Sequence, residues 1–178
     1  RARAAGAKEG DSLLAWVFRD PYVPLSLDIW ADAATRGRSW PDEPVPASGP
    51  STSLEMARES HRAVQLGLRN LTDQPLPLSV AIEPLRGTAG TFPGAVNWRV
   101  IAFVPDGQEA QTRTSRENWH PFFLLRRPGV TVPPFNVAGL WVTVDTRRVP
   151  AGDYTSRIVL REASGREHAV PIRIRVSP

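Results

Sequence analysis

Apolar and polar residues alternate with a period of two along most of the final third of this chain, and that period predicts β-strands. Leu140, Val142 and Val144 alternate with Trp141, Thr143 and Asp145. Tyr154 then leads on to Ile158 and Leu160, and Ser164-Gly165-Arg166 turns the chain into Val170, Ile172, Ile174 and Val176. The same alternation recurs earlier. Leu25, Leu27 and Ile29 oppose Ser26, Asp28 and Trp30; Val64, Leu66 and Leu68 oppose Gln65, Gly67 and Arg69; Leu76, Leu78, Val80 and Ile82 follow. Leu13 to Phe18 is the first apolar run. Within Asn97 to Pro105, the nearly continuous run Val100-Ile101-Ala102-Phe103-Val104 predicts a strand buried on both faces. Trp119 to Leu125 is short and aromatic, ended by Arg126-Arg127-Pro128-Gly129.

The connections carry turn chemistry. Asn70-Leu71-Thr72-Asp73-Gln74-Pro75 combines side chains that bond their own backbone with a proline that fixes φ. Arg58-Glu59-Ser60-His61 predicts a hairpin turn joining Thr52 to Ala57 with Ala63 to Arg69. Ala31 to Ser53, rich in Pro, Gly, Ser and charge, predicts a long loop with one short helical turn near Ala31 to Thr35; long ordered loops are often functional. Residues 1–12 read as a flexible lead-in and 13–178 as a single domain. Short strands between turns, without long helical periodicity, predict an all-β fold: an immunoglobulin/fibronectin-III-like, two-sheet antiparallel β-sandwich with a long early loop. The 18 prolines and 13 glycines, spread along the chain, suit that architecture.

One stretch predicts a specific device. A strand that leaves one sheet for the other needs a corner, and immunoglobulin-like sandwiches place a tyrosine there whose hydroxyl bonds back to the corner backbone. Pro150 stiffens the approach, Gly152 permits a positive φ, and Tyr154 stands at the start of the incoming strand, so these three are expected to form a structural tyrosine corner.

The formal net charge of +4 arises almost wholly from arginine, since Lys8 is the only lysine. Arg113, Arg116, Arg157, Arg161, Arg173 and Arg175 are interleaved with acids or stand at alternate strand positions, which favours a solvated sheet face over a nucleic-acid surface. No aromatic-glycine RNA-binding motif is present, and no nucleic-acid partner is expected. Without cysteine there is neither a disulfide framework nor a thiolate metal site. No apolar run approaches the ~20 residues that cross a bilayer as a helix. Ala4-Ala5-Gly6-Ala7 resembles the small-residue side of a signal-cleavage region, which suggests export to the periplasm or the extracellular space.

Candidate chemistry is sparse. A glycosidase needs two carboxyl groups roughly 5 to 9 Å apart; Glu55 with Glu59, or Asp28 with Asp32, are the pairs that sequence proximity offers, and solvated surface carboxylates explain both more simply. His61, His120 and His168 fall in separate segments, so no metal site is expected. Neither a G-x-S-x-G elbow nor a phosphate-cradling glycine loop occurs. The sequence therefore predicts no catalytic residues and no cofactor. The six tryptophans remain. Trp98 and Trp141 lie in strands, as core or inter-domain packing. Trp30, Trp40 and Trp119 lie at strand ends or in loops, where an indole can stack on a sugar ring or cover a neighbouring domain; Trp40 is the leading candidate for contact outside the module.

Ser53-Leu54-Glu55-Met56-Ala57-Arg58, Ala63 to Asn70, Leu140-Trp141-Val142-Thr143-Val144, and Val149-Pro150-Ala151-Gly152-Asp153-Tyr154-Thr155 together resemble the β-sandwich domain that precedes the catalytic barrel in glycoside hydrolase family 123. The similarity spans about Ser53 to Pro178 and is weakest from Gly87 to Pro134. The turn that often carries Gly-Glu in such relatives is Glu59-Ser60 here. The resemblance implies a bacterial, non-catalytic accessory domain that supports or orients a barrel downstream of Pro178. The acidic pair of that family belongs to the barrel, so no position here inherits it. The alternative is a carbohydrate-binding module that uses the loop tryptophans.

Overall fold

The computed structural model describes residues 10–17, 52–88, 90–105, 119–135 and 137–178. Twelve strands run in chain order: β1 (Leu13–Val17), β2 (Thr52–Met56), β3 (His61–Asn70), β4 (Leu76–Ile82), β5 (Arg86–Gly87), β6 (Gly90–Thr91), β7 (Ala95–Pro105), β8 (Trp119–Leu125), β9 (Gly129–Val132), β10 (Val137–Asp145), β11 (Gly152–Glu162) and β12 (Glu167–Val176). One sheet has the order β1-β3-β10-β7-β8; the other has β2-β12-β11-β4-β9, with β5 and β6 continuing it beside the start of β11. All pairs are antiparallel except β2 with β12, which is parallel. The fold is an all-β sandwich, and its seven-stranded sheet is mixed.

The core follows directly from the alternation. Leu66 stands opposite Leu140, and Val64 opposite Val142, on the inner face of the first sheet. Tyr154 stands opposite Ile174, and Ile158 opposite Val170, on the inner face of the second. All of these are buried, and burying each such side chain contributes roughly 1.5–3 kcal/mol. Trp98, opposite Val142, lies on the inner face and packs against this core.

The hairpin expected between Thr52 and Arg69 does not form. β2 belongs to the seven-stranded sheet and β3 to the five-stranded one, so residues 57–60 cross between sheets. The crossing is held by Thr146, which lies in the second crossing, from β10 to β11. The Thr146 hydroxyl donates to the carbonyl of Ala57 at 2.9 Å, the Thr146 amide donates to Ser60 O at 2.9 Å, and the Ser60 amide donates back to Thr146 Oγ1 at 3.0 Å. Glu59 takes a positive φ of 53° there, and its carboxylate accepts from the Arg148 amide at 2.8 Å. Three short strands, β5, β6 and β9, were not expected. At Gly129, in β9, a Cβ would fall 2.5 Å from the carbonyl oxygen of Leu78, so only glycine permits this approach to β4.

Candidate functional site

The corner at the β10–β11 crossing is built around Tyr154, near the start of β11. Tyr154 is fully buried, and its hydroxyl donates to the carbonyl of Pro150 at 3.1 Å. Its ring meets Phe92 edge-on, with centroids 5.1 Å apart and planes at 77°. Gly152 has a φ of 155°. Gly87 passes so near that a Cβ there would lie 2.0 Å from the carbonyl oxygen of Asp153.

Beside this corner Asp145 is enclosed. Its Oδ2 accepts from Arg147 Nε at 2.8 Å, its Oδ1 accepts from the Arg147 amide at 2.9 Å, and His61 Nε2 stands 3.4 Å from Oδ2. The side-chain and then the backbone hydrogen bonds of Arg147 hold the carboxyl at about 2, against an ordinary 3.8. Because the folded value lies below the unfolded one, the stability from this pairing is complete above the unfolded value and fades as pH falls towards about 2. The midpoint gap between the natural chain and Asp145→Asn should therefore be steady from pH 7 to about 5 and close between about 4 and 2. Thermal unfolding across pH measures it.

At the far end, Glu162 is the centre of a second polar cluster. It accepts hydrogen bonds from Ser12 Oγ and, at 3.1 Å, from Ser164 Oγ, and His168 Nε2 lies 2.6 Å from its Oε1. Burial alone would raise its pKa; the hydrogen bonds of Ser12, His168 and Ser164 outweigh that and hold it below the usual range. A hydrolytic triad places the imidazole between serine and carboxylate. Here the carboxylate stands between serine and imidazole, so His168 does not receive the Ser12 proton through this contact. The cluster ties β1 to the β11–β12 hairpin, helped by Arg166, which donates to Gly10 O at 2.7 Å and to Asp11 at 3.0 Å.

The two outer faces of the sandwich differ. On the seven-stranded sheet the arginines expected on a solvated face are there, exposed and neutralised: Arg157 with Glu83, Arg161 with Glu167, and Arg173 and Arg175 both with Asp153. On the five-stranded sheet one row carries Gln65, Trp141 and Arg99, the next carries Gly67, Gly139 and Ile101, and Arg69 faces outward beyond them. The chain itself buries Gln65, Arg69 and Ile101, and Trp141 is half-buried. Gln65 Oε1 has no hydrogen-bond partner. Among the described residues Arg69 and Arg99 form no ion pair, and burial lowers the pKa of Arg69. This face was expected to be the polar side of β3; it is instead a covered one, and Trp141 belongs to it rather than to the core.

The residues singled out in the sequence are not brought together. Trp30, Trp40, Asp28, Asp32, Arg113 and Arg116 lie outside the described residues. Trp119 opens β8 opposite Pro105, and its side chain is likewise outside them. Glu55 lies 3.9 Å from Arg175, while Glu59 caps the Arg148 amide, so each carboxylate has a surface role. Among the described residues no group of three metal-ligating side chains exists, and no helix is long and apolar enough to cross a membrane.

No protein-family model matches the chain, and no curated protein matches it. Among solved structures it is similar to a family 123 glycoside hydrolase from Clostridium perfringens, analysed for glycolipid glycan hydrolysis. The TM-score is 0.66 at 10% identity, over 93% of this chain and 27% of that one. It also resembles, more loosely, a FixG-related protein from Vibrio parahaemolyticus, with a TM-score of 0.46 at 13% identity over 94% of this chain and 99% of that one. At such identities the likeness is one of fold. The chain spans 27% of the length of the hydrolase, and what it shares with that enzyme is a β-sandwich.

Proposed function

We propose that this chain is a non-catalytic accessory β-sandwich that supports or orients a glycoside-hydrolase-like catalytic domain of the same exported bacterial protein. One observation carries the reading: the fold likeness covers 93% of this chain but only 27% of the family 123 hydrolase, as a module of a larger enzyme would. The arrangement of polar groups is consistent with it. Asp145 and Glu162 are each held by hydrogen bonds from their neighbours below the usual carboxylate range, which makes them poor general acids at neutral pH.

A glycan array separates this role from carbohydrate binding. The purified chain is expected to bind no glycan on the array, and Trp40→Ala to behave identically. Saturable binding to a defined glycan, abolished by Trp40→Ala with the unfolding midpoint unchanged, would replace the accessory role with that of a carbohydrate-binding module.

A further inference from the structure

We draw no further inference here: the strongest candidate, the outer face of the five-stranded sheet, where Gln65 and Arg69 are buried and Gln65 Oε1 has no hydrogen-bond partner, carries none because nothing among the described residues shows what covers it.

Discussion

Tyr154→Ala should lower the stability of this chain by about 3–5 kcal/mol, as expected for truncating a large aromatic in a packed core. Tyr154 is fully buried, so the truncation leaves a cavity. That cavity cannot easily collapse, because Phe92 abuts the ring edge-on and Gly87 already lies against the backbone of Asp153. In a domain whose net stability is about 5–15 kcal/mol, this is a large fraction of the total. Tyr154→Phe keeps the ring and removes only the hydroxyl that donates to Pro150, and should cost about 1 kcal/mol. Urea unfolding of both variants measures the difference. If Tyr154→Phe leaves the midpoint where it is, the hydrogen bond to Pro150 has no energetic role and the corner is held by ring packing alone.

The same corner shows why parts of this fold were legible in the sequence. Val64, Leu66 and Leu68, Leu140, Val142 and Val144, and Val170 to Val176 alternate with residues of different character. A slip by one position would turn each apolar set outward, so alternation specifies which face is core. Pro150, Gly152 and Tyr154 were legible for a local reason, since a tyrosine reaches back only a few residues to the backbone it bonds.

Sheet membership was not legible. The segment Arg58-Glu59-Ser60-His61 has the same polar composition whether the chain folds back on itself or crosses to the other sheet. What holds the crossing is Thr146, a residue 86 positions beyond Ser60, and no local pattern carries that pairing. The burial of Gln65 and Arg69 was hidden for a similar reason: strand period assigns a face but not what covers it. β5, β6 and β9 are two to four residues long, too short for a period of two to emerge. Phe135 gives no hint in the sequence of its positive φ.

The accessory role makes an all-or-none prediction about chemistry. Among the described residues the enclosed carboxylates are committed to hydrogen bonds within the fold, and the Glu162 cluster lacks the serine-to-imidazole contact that would make a nucleophile. Catalysis, on this account, belongs to another part of the same protein. The most direct measurement is hydrolysis of a panel of chromogenic glycosides by purified residues 1–178, beside the product of the complete reading frame. The account predicts a folded chain that releases no chromophore above the blank and a complete product that does. Turnover by residues 1–178 alone, or a complete product that hydrolyses none of the panel, would contradict it.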